Sequence, residues 1–198
     1  MLRPLNLPRV SILGAGFAIL AAALPAHAEP KTAALTGQAK FTSDAPLERI
    51  LGTADGGGEI KLDPANPAGV TGKFTMPVKS MKTGNDMRDD HLRSADWLDA
   101  EKCPDITFEI GSATVKSQKT EGDVSEAVLD VTGTFGIHCK TAPLTAPVTL
   151  KWKGDKLKAD TKFQIKLGDF DVKGREGIVG SKVGTTIDVE VALKGVLK

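Results

Sequence analysis

VTGKFTMPV, residues 70–78, alternates between apolar and polar side chains along most of its length. Alternate side chains of a β-strand share a face, so this stretch predicts a strand with one buried and one solvated face. The buried face would hold Val70, Gly72, Phe74, Met76 and Val78. Five later runs alternate in the same way, at 106–110, 129–139, 148–152, 163–167 and 183–193. The chain is therefore predicted to be all-β apart from short segments.

Upstream of residue 70 the sequence predicts three short strands, at 35–42, 47–54 and 58–62. Turn-forming residues separate them, with SDAP at 43–46 and DGGG at 55–58. Eight or nine antiparallel strands in one domain form a barrel or a sandwich, and the pattern alone leaves both architectures open.

One stretch interrupts the alternation: TGNDMRDDHLRSADWLDAEKCPDITF, residues 83–108. It predicts one short helical segment near residues 85–98, with Asn85 as the N-cap. At 100° per residue this helix is amphipathic. The face expected to pack on the sheet holds Met87, His91, Leu92, Ala95 and Leu98, and the face expected to meet solvent holds Asp89, Asp90, Arg93 and Asp96.

The run Asp89-Asp90-His91 also admits an enzymatic interpretation. His91 would be a base, and one of the two aspartates would orient it or bind a metal ion. The helical spacing favours packing instead, because it places His91 on a different face from both carboxylates. We therefore predict no catalytic residues and keep a periplasmic enzyme as the alternative.

Residues 1–28 resemble an export signal. Arg3 and Arg9 form a basic start before an apolar run at 10–24, and AHA at 26–28 is a small-x-small cleavage site. Cleavage near Ala28 would leave a single domain, 29–198, in the periplasm or secreted. Without the two arginines the chain has 24 basic residues against 25 acidic ones, which argues against a nucleic-acid partner. No later segment approaches the ~20 apolar residues of a membrane helix, so stable membrane insertion is not expected.

Two cysteines in an exported chain predict one disulfide, between Cys103 and Cys139. They are symmetric about residue 121, beside the turn sequence TEGD at 120–123, so an antiparallel hairpin would bring them nearly opposite. If the apolar residues at 106–110 share a face with those at 131–137, Cys103 lies one position away from the residue directly opposite Cys139. An irregularity at Pro104 could accommodate this shift. Two alternatives stay open: a metal site formed with His91 and His138, and a redox-responsive pair that opens and closes.

Two segments resemble the YceI-like family. Residues 80–108 are similar to the family pattern S-x-x-T-G-n-x-x-R-D-x-H-L-r-s-x-D-F-F-d-x-x-x-Y-P-x-I-x-F, and GTFGIHCKTAPL at 133–144 is similar to G-x-L-t-l-H-G-v-t-k-P-V. Cys103 stands where the family has Tyr, and Cys139 where it has Gly, so both departures favour the disulfide. KLGDFD at 166–171 departs from a segment in which the family often has an Arg.

The resemblance implies an extended lipocalin-like antiparallel β-barrel of about eight strands. It also implies a non-enzymatic carrier that holds an isoprenoid-tailed lipid, such as a polyisoprenoid or a quinone, and needs no other cofactor. The expected ligand-binding residues are Phe74, Met76, Val78, Phe108, Phe135, Ile137, Trp152 and Phe163 inside, with His91 and Trp97 near the mouth. The sequence leaves open the ligand's orientation, a contact between His91 and its head group, and whether a homodimer forms.

Overall fold

The computed structural model describes residues 29–44, 48–173 and 184–198. The export signal expected at 1–28 lies outside these residues. The described chain forms eight strands and one α-helix, with short 3-10 turns at Pro67–Gly69, Val78–Ser80 and Leu167–Phe170. In chain order the elements are β1 Lys31–Asp44, β2 Arg49–Leu62, β3 Thr71–Pro77, α1 Asp86–Arg93, β4 Asp105–Glu121, β5 Val124–Ile137, β6 Lys140–Lys153, β7 Lys156–Lys166 and β8 Thr186–Leu197.

The strands form a closed antiparallel barrel in which every strand pairs with its sequence neighbour. β1 also pairs with β8, from Ala33 opposite Leu197 to Ser43 opposite Ile187, and this pairing closes the sheet. Closure leaves no free first or last strand. The barrel predicted from the family resemblance is confirmed, and the sandwich is excluded.

The turn predicted at residues 55–58 is wrong. DGGG lies inside one continuous strand, β2, where it pairs with residues 35–38 of β1. Gly57 and Gly58 also pair with β3, opposite Thr75 and Phe74. Pairing on both sides overrides the local turn preference of the glycines, because strand formation depends more on neighbouring strands than on intrinsic propensity.

The hairpin of β4 and β5 turns at residues 122–123, within the predicted TEGD segment. Its register shifts by one residue twice, between Ile110 and Ser112 and again between Val115 and Ser117. Such bulges increase the local twist and help a sheet to close. They also bring Phe108 opposite Phe135. Because the hairpin turns at 122–123 rather than about residue 121, and because Cys139 lies in the turn after Ile137, the register needs no adjustment at Pro104.

The barrel has two different ends. At the hairpin end lie the tight turns at 122–123 and 154–155, and at the helix end lie α1 and the segments that flank it. Buried side chains form one cluster towards each end. Trp152 and Leu62 belong to the hairpin-end cluster, and Trp97 and Phe170 belong to the helix-end cluster.

The outer wall is polar and carries cross-strand ion pairs. Lys151 lies 2.7 Å from Glu126, and Lys162 lies 2.7 Å from Glu190. These pairs are solvent-exposed, and each contributes at most ~1 kcal/mol. Among the described residues, none of the helices has the length and apolarity that crossing a bilayer requires.

Candidate ligand-binding cavity

A cavity of about 420 Å³ lies inside the barrel between the two clusters. This volume falls within the ~300–1,000 Å³ typical of small-molecule sites. All eight strands contribute inward-facing side chains to its lining, which is overwhelmingly apolar. Such a lining suits a long hydrocarbon ligand and offers few hydrogen-bonding groups to a polar one.

Two glycines in β2 leave room for aromatic rings of the neighbouring strands to lie against the backbone of β2. Phe41 pairs with Gly52, and a Cβ atom added to Gly52 would overlap the Phe41 ring. Phe74 pairs with Gly58, and a Cβ there would come within 2.8 Å of the Phe74 ring. Each ring therefore covers the backbone of the opposite strand, a known way of stabilising glycine in a sheet.

Eight of the ten predicted ligand-binding residues line this one cavity. They are Phe74, Met76, His91, Trp97, Phe108, Phe135, Ile137 and Phe163. Phe135 contacts the Phe163 and Phe170 rings edge-on, with centroids 5.9 and 5.5 Å apart. The strand alternation placed the inward-facing members of this set together.

Val78 and Trp152 are not among the lining residues. Val78 follows β3 in a 3-10 turn, where it is fully buried in the helix-end cluster. Trp152 lies near the end of β6 and packs in the hairpin-end cluster. Both face inward as the alternation predicts, but Val78 lies nearer the helix end than the cavity does, and Trp152 nearer the hairpin end. Periodicity indicates which face a side chain is on and not its position along the barrel axis.

The site prediction also missed several lining residues. β1 and β8 supply Phe41, Ile187, Val189, Val191 and Leu193, and the mouth adds Glu48 and Arg88. The alternation of β8 could have indicated its contribution. Nothing in the local sequence indicates that Glu48 and Arg88, forty residues apart, meet at the mouth.

Residues 78–104, here called the lid, cover the helix end of the barrel. α1 begins as predicted, because the Asn85 side chain accepts a hydrogen bond from the Arg88 amide at 3.1 Å. It ends at Arg93, earlier than the predicted Leu98. The chain then turns, and Trp97 and Leu98 are buried beneath it.

Asp89 was predicted to face solvent, and this prediction is wrong: the residue is 2% exposed. Its carboxylate accepts hydrogen bonds from the Thr83 amide at 2.8 Å and the Thr83 hydroxyl at 2.7 Å. Lys82 and Arg93 lie 3.8 and 4.0 Å from its other oxygen. Burial alone would raise the pKa of Asp89, but the Thr83 hydrogen bonds and the two cations together lower it below its ordinary value.

The opposite face of α1 is correspondingly exposed. Met87 is 71% exposed and His91 is exposed too, as is Ala95 just beyond the helix, although all three were expected to pack on the sheet. Met87 and His91 nevertheless line the cavity, because it opens to solvent between α1 and the start of β2. Bonding of Asp89, rather than apolar periodicity, fixes the rotation of this short helix.

An ion pair spans the mouth. The Arg88 guanidinium on α1 lies 3.1 Å from the Glu48 carboxylate just before β2, and both residues line the cavity. The Arg88 side chain is 27% exposed and Glu48 is 56% exposed. The pair therefore links the lid to the barrel rim at the point where a ligand's outer end would lie.

The predicted disulfide joins Cys103 at the end of the lid to Cys139. Cys139 is not a strand residue, because Ile137 pairs with Lys140 and the two residues between them form a tight turn with positive φ. His138, the other turn residue, has its Nδ1 atom 3.2 Å from the Phe170 carbonyl. Both sulfur atoms are used in the disulfide, and no metal-binding group of three or more His, Cys, Asp or Glu occurs in the described residues.

β6 and β7 pair only over residues 148–153 and 156–161. Their segments nearer the helix end, 140–147 and 162–166, form a seam in the barrel wall that the described pairing does not bridge. At the closed end of this seam the Thr161 hydroxyl donates to the Pro147 carbonyl at 2.7 Å. The side chains on both flanks of the seam line the cavity, including Leu144 and Phe163.

These residues can be compared with known proteins. The model of the YceI-like domain matches residues 31–195. The chain belongs to the YceI-like family. Protein YceI of Escherichia coli O157:H7 is 34% identical over 139 residues, which cover 67% of this chain and 68% of that protein. Protein YceI of Salmonella paratyphi B is 32% identical over the same length.

Solved structures show the same barrel. Burkholderia cenocepacia BcnA has a TM-score of 0.65 and 25% identity, covering 83% of this chain and 95% of its own. A polyisoprenoid binding domain from Saccharophagus degradans also has a TM-score of 0.65, covering 83% of this chain and 98% of its own. That domain is only 13% identical, so the likeness shows the fold alone.

The structure gives a physical role to the YceI-like pattern in the lid. Thr83 satisfies the buried Asp89 carboxylate, Asn85 caps α1, and Arg88 reaches across the mouth to Glu48. The pattern therefore encodes how the lid is held over the barrel, and none of these contacts forms a catalytic relay.

Proposed function

We propose that this YceI-like protein is a non-enzymatic carrier that holds the tail of an isoprenoid lipid inside its barrel. The observation that carries the proposal is the apolar cavity of about 420 Å³ inside the barrel, beneath the lid. Burying apolar surface stabilises a complex by ~25 cal/mol per Å², so a hydrocarbon tail would bind there without any special polar contact. The polyisoprenoid binding domain of S. degradans, which shares the fold, supports this ligand class.

The polar stretch of the lid supports a carrier better than an enzyme. Asp89 is committed to Thr83, and Asp90 lies 3.4 Å from Arg93 on the helix surface. Because both carboxylates have these other partners, neither is held to orient the exposed His91 ring in the way that a general base requires. A carrier needs no such relay.

We place this carrier in the periplasm or outside the cell. The leader-like sequence at 1–28 and the Cys103–Cys139 disulfide both support export, because disulfides persist in oxidising compartments. In such a compartment a carrier would store a lipid or move it from one membrane to another, and the protein itself would not cross a membrane.

Native mass spectrometry of protein purified from its own host tests this function. We expect a co-purified lipid whose fragments show an isoprenoid tail. The informative variant is Ala146→Phe, because Ala146 is buried and lines the cavity, so a phenyl ring there would occupy ligand volume. The matched control is Ala192→Phe, an exposed position on the outside of β8.

The wild-type protein and Ala192→Phe should carry the lipid, and folded Ala146→Phe should carry much less. Circular dichroism establishes that each variant is folded. A protein that co-purifies without lipid and does not bind geranylgeraniol after purification would contradict the proposal, as would equal lipid content in the two phenylalanine variants.

A further inference from the structure

Charges around the mouth of the cavity occur as opposed pairs. Arg88 lies 3.1 Å from Glu48, and the adjacent Arg49 lies 3.2 Å from Asp44. Behind α1, two further cations face the Asp89 carboxylate. A site built for a phosphate or carboxylate instead gathers unpaired Arg and Lys side chains, or backbone amides, around one point.

The cavity itself has little positive charge to offer. Among the lining residues that the structure describes, Arg88 has the one permanent positive charge. The other permanently charged lining residues, Glu48 and Asp160, are acidic. A phosphorylated ligand whose tail occupies the cavity would bring its charge next to the Glu48 carboxylate, and at that distance like charges repel.

Arg88 can still donate hydrogen bonds to a neutral oxygen atom. A guanidinium has five N–H donors, and the contact with Glu48 uses Nη1. Asn85 and His91, one helical turn to either side, also line the cavity. Together they present amide, guanidinium and imidazole groups to the outer end of a bound molecule, with the charge of the cation already balanced.

We propose that the mouth selects lipids with a neutral, oxygen-bearing head group, an alcohol or a carbonyl, and that Glu48 is the residue that excludes phosphorylated isoprenoids. Arg88 donates to the head-group oxygen, and Glu48 compensates its charge. This inference rests on the proposed function, because it requires the tail to lie in the cavity.

Two probes with the same tail separate the head-group effect from tail binding. Geranylgeraniol and geranylgeranyl phosphate differ only in the hydroxyl or phosphate at one end. Each is titrated below its aggregation concentration into delipidated protein at pH 8 and low salt, and binding is followed by intrinsic tryptophan fluorescence. The variants are Glu48→Gln, Arg88→Gln and the control Glu109→Gln, which removes a carboxylate 3.9 Å from Lys73 on the outer wall.

We expect the wild-type protein and Glu109→Gln to bind the alcohol about tenfold more tightly than the phosphate. Glu48→Gln frees the charge of Arg88, so it should strengthen phosphate binding and reduce the ratio to about threefold or less. Arg88→Gln should weaken alcohol binding. Equal or tighter phosphate binding by the wild-type protein would overturn the inference, as would an unchanged ratio in Glu48→Gln. If neither probe binds the wild-type protein, the proposed function itself fails.

Discussion

Replacing Asp89 with Ala should release the lid from the barrel. The Asp89 carboxylate accepts two hydrogen bonds from Thr83, at 2.8 and 2.7 Å, and is 2% exposed. A hydrogen bond to a charged group contributes ~1.5–3 kcal/mol to stability. Two such bonds give about 3 kcal/mol at the lower end of that range. The lower end applies because, once the carboxylate is removed, water can hydrogen-bond to Thr83, and Lys82 is already solvated.

For a chain of this size, 3 kcal/mol corresponds to a fall in melting temperature of about 6–12 °C. Thermal unfolding is followed by far-UV circular dichroism, which reports on the sheet, and by tryptophan fluorescence, which reports on buried Trp97 in the lid and on Trp152 in the barrel. The matched control is Asp90→Ala. Its carboxylate is 79% exposed, and its pair with Arg93 should contribute less than ~1 kcal/mol.

The two adjacent aspartates therefore make a direct comparison. If Asp89→Ala is within about 0.5 kcal/mol of the wild-type protein, or if Asp90→Ala is destabilised equally, the buried carboxylate does not hold the lid, and the assignment of the Thr83–Asp89 contact as its anchor is refuted.

Three further predictions concern pH, the disulfide and the seam. Because the folded-state pKa of Asp89 is lowered, the stability advantage of the wild-type protein over Asp89→Asn should be constant above about pH 5 and should shrink as the pH falls below ~4. Chemical denaturation at several pH values measures this difference in the free energy of unfolding. A difference that stays constant down to about pH 2 would contradict the prediction. Replacing Cys103 and Cys139 together with Ala should cost ~3–4 kcal/mol, the chain-entropy value for a separation of 36 residues, and a loss below ~1 kcal/mol in denaturant titrations would show that the disulfide is dispensable. In hydrogen exchange the Thr145 amide, which faces the seam, should exchange far faster than the Thr149 amide in the paired part of β6, and equal protection would show that the seam is closed.

Alternation predicted the strands well, because a barrel strand has one face in the core and one in water. The run at 70–78 corresponds to β3, and the described part of the last run, from residue 186 onward, lies in β8. DGGG at 55–58 was misread as a turn because glycine serves both purposes: it forms turns, and it also lets aromatic rings lie against a strand. Only the pairing of Gly58 with Phe74 on the neighbouring strand distinguishes the two, and that is a tertiary fact.

The lid shows where periodicity fails. A helix of eight residues makes too few contacts for an apolar stripe to determine its rotation. The hydrogen bonds between Thr83 and Asp89 determine it instead, and they bury a charge that any hydrophobicity scale places in solvent. The N-cap was predictable because Asn85 bonds within its own turn.

The candidate site was predictable in its chemistry but not in its extent. Inward-facing aromatic residues identified an apolar lining, yet nothing in the strand pattern located Trp152 below the cavity or Glu48 at its mouth. The disulfide was predictable from cysteine number and spacing, although the turn that carries Cys139 was not.

Methyl NMR of alanine-labelled, delipidated protein during titration with geranylgeraniol tests most directly whether lipid enters the barrel. Ala39 and Ala146 line the cavity, whereas Ala34 and Ala192 are exposed on the outer wall of the same sheet. We predict intermolecular NOEs from the lipid to the first pair and none to the second. Lipid contacts confined to the outer-wall alanines would contradict binding inside the barrel.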